Sequence, residues 1–193
     1  MRKYEFTGET KVYEGRTLNR IRRIEDKLLG GWIEKEENLS HEGNCFVYDD
    51  AMVFDDGKVY GNGKVCDKGE VFDKGEVYGN SKVCDKGRVY GNGKVFSNGV
   101  VSGSGKVYGN AEVFGNGEVS GNGKLFGNGE VFGNGKVSGN GKVFDNGKVF
   151  DNGKVYDNGK VYDNGKVWDN GKVYENGRVR GGNIVSRNGE VIK

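Results

Sequence analysis

The sequence predicts an all-β protein in which most of the chain forms a single-stranded, triangular, parallel β-helix. A branched aliphatic residue occurs at every sixth position from Val47 to Val191, twenty-five times, and only Leu125 is not Val. Residue types also repeat every 18 residues, which is three hexads. Proline is absent, so every backbone N–H can join a sheet. A strict short period over most of a chain is typical of a solenoid.

Each hexad is interpreted as a short strand followed by a corner, as in residues 59–64 (VYGNGK). Successive side chains of a strand point to opposite faces, so each Val shares a face with the Gly two positions before it. This face is predicted to be the interior, because the opposite choice would bury a Lys in nearly every hexad. Gly61-Asn62 then supplies the corner, since Gly and Asn tolerate left-handed backbone conformations.

The main alternative fold is a meander of short hairpins, because Asn-Gly is also a strong hairpin-turn signal. The 18-residue period argues against this alternative. Cys66 and Cys84 are 18 residues apart, and the same column continues with Ser102, Ser120 and Ser138. A hairpin meander gives no reason for a repeat at every third unit, whereas one turn of a triangular coil contains three hexads.

The hexad, with Asn three positions after the aliphatic residue and a small residue at the next position, resembles the signature of left-handed β-helices. Its sequence pattern, V-Y-G-N-(A/G)-K, is similar to that of the YdcK-like hexapeptide-repeat proteins of bacteria and phages. Residues 29–40 (LGGWIEKEENLS) resemble the N-terminal lead-in of many phage-encoded members. The resemblance covers nearly the whole chain; it is specific for fold and implies a left-handed coil, whereas it is weak for activity.

The chain is divided into residues 1–44, a β-rich cap and lead-in, and residues 45–193, the hexapeptide-repeat region. Turns are predicted at Thr7-Gly8 and Glu14-Gly15, between short strands. Such a segment is expected to close the first rung against water and against edge-to-edge growth. Its three arginines are expected to pair with acids of the same segment, Arg20, Arg22 and Arg23 with Glu34, Glu36 and Glu37; contact with a partner is the alternative.

The outward positions after each Val form three columns with an 18-residue period. Stacked aromatic rings in these columns would stabilise the rungs. Two long aromatic strips would also exceed what a monomer normally exposes, so self-association as a dimer or trimer is an open alternative. The first column is Phe54, Phe72, Tyr90, Tyr108, Phe126, Phe144 and Tyr162; the second is Tyr60, Tyr78, Phe96, Phe114, Phe132, Phe150 and Trp168; the third is Tyr48, Cys66, Cys84, Ser102, Ser120, Ser138, Tyr156 and Tyr174.

Partner-binding residues are predicted in the C-terminal coils, where aromatic residues coincide with one Lys per hexad. Trp168 and its neighbours Phe150 and Tyr162 are the expected hot spot, because aromatic residues dominate such spots. The full predicted set is Phe150, Tyr162, Trp168, Tyr156, Tyr174, Lys154, Lys160 and Lys166.

Nucleic-acid binding by aromatic and lysine ladders is a further alternative. Aspartates that would repel phosphates lie among the C-terminal lysines, which argues against it: Asp145, Asp151, Asp157, Asp163 and Asp169. A DNA-mimic role would need a strongly acidic surface, whereas the formal net charge is +2. Nucleic acid is therefore a less favoured partner than protein.

Three cysteines predict a reducing, cytoplasmic setting, and the resemblance implies a phage-infected bacterial cell. Cys66 and Cys84 are expected to stack as reduced surface side chains on adjacent rungs; a disulfide or a metal pair is the alternative. No apolar run has the length of a membrane span and no signal peptide is recognised, so no membrane association is expected. No cofactor and no metal are expected.

Catalysis is not expected from the residues present. Left-handed β-helix acyltransferases typically place a His in the coils or associated loops as a general base. The single His here, His41, falls in the Val register just before the first clear hexad, where a capping or core role is expected. The sequence contains no Ser–His–acid set, phosphate loop or metal-ligand spacing.

The sequence therefore predicts a non-enzymatic solenoid that acts by surface contact with a protein partner, either a host protein or further copies of the chain. The phage resemblance implies a host-takeover or anti-defence role, such as inhibition of a CRISPR effector. The alternatives are a self-associating structural or virion-associated rod and, less favoured, an acyltransferase-like enzyme.

Overall fold

The computed structural model describes residues 1–192, which are almost entirely short β-strands and tight corners. Three longer strands come first, β1 (Tyr4–Tyr13), β2 (Arg16–Arg23) and β3 (Leu29–Ile33), followed by a 3-10 turn at Glu36–Asn38. Every later strand has two residues, and the second is the aliphatic residue of a hexad. These strands are β4 (Phe46–Val47), β5 (Met52–Val53), β6 (Lys58–Val59), β7 (Lys64–Val65), β8 (Glu70–Val71), β9 (Glu76–Val77), β10 (Lys82–Val83), β11 (Arg88–Val89), β12 (Lys94–Val95), β13 (Val100–Val101), β14 (Lys106–Val107), β15 (Glu112–Val113), β16 (Glu118–Val119), β17 (Lys124–Leu125), β18 (Glu130–Val131), β19 (Lys136–Val137), β20 (Lys142–Val143), β21 (Lys148–Val149), β22 (Lys154–Val155), β23 (Lys160–Val161), β24 (Lys166–Val167), β25 (Lys172–Val173), β26 (Arg178–Val179), β27 (Ile184–Val185) and β28 (Glu190–Val191).

The strands form three sheets, one on each side of a triangular coil. Sheet A has eleven strands, β1-β2-β3-β5 and then every third strand to β26; sheet B has eight, from β6 to β27; sheet C has nine, from β4 to β28. Solenoid strands pair in parallel with strands 18 residues away, as Val65 does with Val83. The coil makes roughly 9 turns. The predicted triangular parallel β-helix is confirmed, and the parallel pairing excludes the hairpin meander.

The interior is a continuous column of aliphatic side chains, as the parity of the hexad predicts. The aliphatic residues from Val47 to Val185 are buried, and Val191 in the last turn is half-buried. The Gly two positions before each Val lies against the next turn, so that a Cβ added to Gly63 would be 2.6 Å from the carbonyl oxygen of Val77. Small residues are therefore required at this position. Ser81, which replaces Gly there, donates its hydroxyl to the carbonyl oxygens of Tyr78 and Val95, at 2.7 and 3.0 Å.

The corners combine a left-handed residue with a polar ladder. The left-handed φ falls two positions after each aliphatic residue from Val47 to Val185. In most turns this residue is Gly, as at Gly61 (φ 62°), or Asp, as at Asp67 (φ 57°), and it is Ser97, Glu175 or Arg187 in the others. The following Asn is not left-handed in most turns. Its amide bonds to the Asn 18 residues later instead, as Asn62 Nδ2 does to Asn80 Oδ1 at 2.9 Å. The predicted Gly-Asn corner is thus confirmed, with its two residues in different roles.

The cap, which we define as β1 and β2, extends sheet A with antiparallel strands. β1 pairs with β2, β2 pairs with β3, and β3 pairs in parallel with β5. The predicted turn at Glu14-Gly15 is confirmed, since both residues have positive φ. The predicted turn at Thr7-Gly8 is wrong, because it is an irregularity within the single strand β1. Tyr4 and Ile21 of the cap are buried in the same core as Val47.

The ion pairs predicted for the N-terminal arginines are wrong. Arg22 pairs with Glu5 at 2.8 Å, because the antiparallel register places these two residues opposite each other. The other two arginines also use acids outside the predicted set: Arg20 pairs with Asp50 at 3.5 Å and Arg23 with Asp26 at 2.6 Å.

The first turn of the solenoid uses residues that precede the clear hexads. Ile33 pairs with Val53, and Leu39 forms a parallel bridge with Val59. Both are fully buried. The spacing here is 20 residues instead of 18, so Leu39 takes the rung that the hexad register assigned to His41. The expectation that His41 occupies the Val column is therefore wrong.

Candidate binding surfaces

Aromatic side chains form the predicted ladders on the outside of the rod, except that Phe54 is fully buried against Leu18 and Tyr13 of the cap. In the two long ladders, ring centroids are 4.7–5.1 Å apart with planes within 7°, except that Phe150 and Trp168 are 5.8 Å apart. In the third column Tyr156 stacks on Tyr174 at 4.9 Å. Because each ring covers the face of the next, mainly ring edges reach the solvent along the middle of the rod.

The predicted partner-binding residues lie on three different sides of the rod. Phe150, Trp168 and Lys166 belong to sheet B, where Phe150 stacks on Trp168. On sheet A lie Lys160 and Tyr162, and on sheet C lie Lys154, Tyr156 and Tyr174. The structure therefore divides the predicted set into three surfaces, and only the Phe150 and Trp168 rings of the expected hot spot are in contact.

The sheet B ladder ends at Trp168, next to an exposed aliphatic residue. Ser186 occupies the following position of the column, so one face of the indole has no ring neighbour within residues 1–192. Lys166 is paired in register with Ile184, whose side chain is 57% exposed. We call Phe150, Lys166, Trp168 and Ile184 the tryptophan patch. It combines an aromatic face, an exposed aliphatic side chain and a cation.

The position before each Val forms a second outward column on every sheet, and only the column of sheet A is uniformly basic over many turns. On sheet B lysines are interrupted by Glu76, Glu112 and Glu130, and on sheet C by Val100 and Glu118. The sheet A column runs, in register, through Arg88, Lys106, Lys124, Lys142, Lys160 and Arg178.

A groove of about 450 Å³ follows this basic column where sheet C turns into sheet A. We call it the lysine–asparagine groove; it is lined by Ser104, Lys106, Asn122, Lys124, Asn140 and Lys142. Asn122 Nδ2 donates to Asn140 Oδ1 at 3.2 Å, which holds the amides in a row. Its left-handed corner residues are Gly103, Gly121 and Gly139, so this stretch of the corner carries no carboxylate.

Backbone N–H groups at the same corner donate hydrogen bonds to carboxylates one turn earlier in the chain. Asp49 accepts the N–H of Asp67, Asp67 accepts that of Asp85, and Asp85 accepts that of Gly103 at 2.9 Å. For Gly121 and Gly139, the residue 18 positions earlier in this column is Gly instead of Asp. Within residues 1–192 their N–H groups have no acceptor, and both residues are exposed.

Cys66 and Cys84 are joined by a disulfide on the surface of sheet C, so the prediction of reduced side chains is wrong. In-register parallel pairing brings their Cα atoms to 4.7 Å, within the range that disulfides span. The Asp67 carboxylate lies beside the two sulfur atoms. Bonded sulfur offers no thiolate, so the group is not a ligand set for a metal in this state. Because disulfides persist in oxidising environments, cysteine usage no longer supports a reducing setting.

His41 lies at the base of the cap, beside a cleft of about 570 Å³ that also contacts Glu36, Lys58 and Tyr60. Its ring stacks on Tyr4, with centroids 4.3 Å apart, and its Nδ1 accepts the backbone N–H of Lys3 at 3.2 Å. Burial lowers the His41 pKa, which favours a neutral ring with its proton on Nε2. This arrangement leaves no free lone pair for a general base, and it is the capping role that the sequence predicts.

Comparison with known protein families finds no family model that matches this sequence, and comparison with curated proteins finds no match either. The resemblance to YdcK-like proteins and the implied handedness therefore stay predictions. Within residues 1–192 no helix is long and apolar enough to cross a membrane.

Proposed function

We propose that the protein is a non-enzymatic binding rod that contacts a protein partner through the tryptophan patch. Its parallel turns hold side chains at fixed intervals, so a surface made from three or four turns is preorganised for contact. Preorganisation lowers the entropy loss on association.

The exposure of apolar groups at the C-terminal turns carries this proposal. In the middle of the two long ladders each aromatic ring is covered on both faces by its neighbours, whereas Trp168, like Tyr162 at the end of the sheet A ladder, has one ring neighbour. What distinguishes Trp168 is the aliphatic side chain of Ile184 in the next turn, which is 57% exposed. Trp is one of the residue types enriched at the energetic centres of protein interfaces. The lysine in the patch, Lys166, adds a requirement for an anionic or hydrogen-bond-accepting partner.

A finer form of the proposal is that the partner is a bacterial host protein and that binding inhibits a defence system such as a CRISPR effector. The support for this form is the resemblance to phage-encoded hexapeptide-repeat proteins. Expression of the chain in a bacterium that carries an active CRISPR system would test it. Restored plaque formation by a targeted phage is expected, and unchanged phage defence would contradict it.

Affinity capture with matched variants tests the binding proposal. Wild-type protein, Trp168→Ala and Phe114→Ala are used as baits in nuclease-treated bacterial lysate. Phe114 belongs to the same ladder but has ring neighbours on both faces. One stoichiometric partner is expected, with capture reduced about tenfold or more by Trp168→Ala and little changed by Phe114→Ala. Equal capture by all three baits, or capture of nothing, would contradict the proposal.

Self-association through the C-terminal end is the second candidate function. The outer edges of β26, β27 and β28 have no neighbouring strand within residues 1–192, and unpaired edges are templates for further strands. Ile192 beside them is 51% exposed. Light scattering over a concentration range distinguishes the outcomes: a dimer supports pairing of two C-terminal ends, filaments support a structural rod, and a monomer throughout contradicts both.

A further inference from the structure

We propose that the lysine–asparagine groove binds a linear phosphate polymer, by contact with its phosphate groups. This site lies on the edge between sheets C and A, away from the tryptophan patch on sheet B, so it is independent of the protein-binding proposal.

The charge of the groove is the first argument. Lys106, Lys124 and Lys142 occupy consecutive turns, and their neighbours in register are other cations. None of the three forms an ion pair within residues 1–192, whereas Lys136 and Lys148 on the other sheets pair with Glu118 and Glu130. Three unneutralised ammonium groups in a row produce a positive potential that an internal acid does not offset.

The corner backbone is the second argument, and it is independent of the lysines. At this corner the turns before the groove use an Asp carboxylate to accept the next N–H, which shows that the N–H position is suited to an anionic oxygen. At Gly121 and Gly139 the same N–H has no internal acceptor within the described residues. A phosphate oxygen there would replace the missing carboxylate, in the manner of backbone anion-binding nests.

The shape and chemistry of the groove indicate a chain rather than a single ion. The six lining residues span three turns, and each turn offers an ammonium group with an Asn amide or a Ser hydroxyl. Lysine stems are flexible, so the ammonium groups can adjust to phosphates whose spacing differs from that of the turns. An extended ligand with one anionic group per few ångströms would contact all three turns at once.

The aromatic column beside the groove indicates that bases are not stacked. Tyr108, Phe126 and Phe144 stack on one another with centroids 4.9–5.1 Å apart, so their faces are already covered. Single-strand binders that recognise bases use free aromatic faces. The shared chemistry is therefore the phosphate chain, whether it comes from inorganic polyphosphate or from a single-stranded nucleic acid.

Fluorescence anisotropy with two labelled polymers tests the proposal, using inorganic polyphosphate and oligothymidylate at several salt concentrations. The groove variant is K106Q/K124Q/K142Q. The matched control is K58Q/K94Q/K148Q, which removes the same charge from sheet B, where each of these lysines is paired in register with a glutamate. Far-ultraviolet circular dichroism and thermal unfolding confirm that each variant folds.

The groove variant is expected to bind at least about tenfold more weakly at 50 mM salt, with the salt slope reduced by about 2, while the control stays within about threefold of wild type. If the groove variant binds both polymers more weakly, the site recognises phosphate chains in general. If it binds only one of them more weakly, that polymer is the ligand. Equal affinities of the groove variant and the control, or no binding of either polymer by wild type, would overturn the proposal.

A second variant tests the corner N–H groups without removing a lysine. Gly121→Asp introduces the residue that Asp67 and Asp85 already place at this corner with φ of 57°. Its carboxylate is expected to accept the N–H of Gly139 and to repel phosphate, so affinity should fall at least about fivefold with the fold intact. If Gly121→Asp binds the polymers as tightly as wild type, the backbone N–H groups do not contribute to the site, and this part of the proposal is overturned.

Discussion

At its N-terminal end the solenoid is covered by the antiparallel strands of the cap, whereas at its C-terminal end β26, β27 and β28 have no further strand along their outer edges within residues 1–192. Tyr4 of the cap is buried and its hydroxyl donates to the carbonyl oxygen of Leu39 at 3.0 Å. At the other end Ile184 and Ile192 are exposed and Val191 is only half-buried. Within residues 1–192 the repeat is therefore covered at its N-terminal end and uncovered at its C-terminal end.

The turns of this solenoid are similar in sequence, but they are expected to differ in stability. Each turn contacts only its neighbours, so a terminal turn without a cap loses half of its packing. Tyr13 also ties the cap to the rod, since its hydroxyl donates to Glu70 at 3.1 Å and Glu70 pairs with Arg88 at 2.7 Å. We expect stability to decrease, and availability for partners to increase, from the N-terminal to the C-terminal end.

The largest expected effect comes from the cap core. Ile21→Ala is expected to lower the free energy of unfolding by about 2–5 kcal/mol, because Ile21 is fully buried between the cap and the first turn. The matched change at the open end, Ile192→Ala, is expected to change it by less than about 0.5 kcal/mol. Urea unfolding of both variants makes the measurement. Similar effects of the two substitutions would contradict the expected difference in stability between the two ends.

The disulfide is expected to contribute next. It links two adjacent turns of the N-terminal half, so reduction, or the double variant Cys66→Ser and Cys84→Ser, should lower the free energy of unfolding by up to about 3 kcal/mol for a loop of this size. Serine fits the column, as Ser102 and Ser120 show. Intact mass of the non-reduced protein reports whether the bond forms. Two free thiols in protein purified under oxidising conditions would contradict the pairing.

The open end is expected to control association. Ile184→Lys places a charge in the tryptophan patch beside the unpaired edge, and it should abolish any concentration-dependent dimer seen by light scattering. The control is Val12→Lys, which changes an exposed residue of the cap. If Val12→Lys also abolishes the dimer, association does not depend on the C-terminal end.

The smallest expected effect is a pH dependence of the cap. Burial holds the His41 pKa below its ordinary 6.5, so the folded state resists protonation and stability is lost as the pH falls below about 6.5. Protonation of Nδ1 would also remove the acceptor for the Lys3 N–H. Between pH 7.5 and 5.5 the unfolding midpoint should fall roughly 2 °C further for wild type than for His41→Gln. Equal shifts in the two proteins would exclude His41 as the cause.

The repeat region could be predicted because one periodicity determines both the buried parity and the columns. The cap could not be predicted to the same depth. Its register depends on an irregularity after Phe6, which brings Glu5 opposite Arg22. The lead-in has a 20-residue spacing between Leu39 and Val59, which places Leu39 in the core. Neither feature has a periodic signal in the sequence.

The candidate surfaces show a similar limit. The C-terminal lysines are regular along the chain, but successive hexads belong to different sheets, so Lys154, Lys160 and Lys166 point to three sides of the rod. Writing the sequence in rows of 18 would have shown that Lys106, Lys124 and Lys142 form one column, and that the corner before each of them is uncharged. The disulfide could not be predicted from composition, because its formation depends on the distance between adjacent turns.

Hydrogen exchange measured by mass spectrometry tests most directly whether the rod is protected at one end and open at the other. In the free protein at low concentration we expect the amides of β26, β27 and β28 to exchange first, and protection to rise toward β4, with the cap strands β1 and β2 among the slower segments. Exchange of the cap before the C-terminal turns, or uniform exchange along the whole solenoid, would contradict this difference between the two ends.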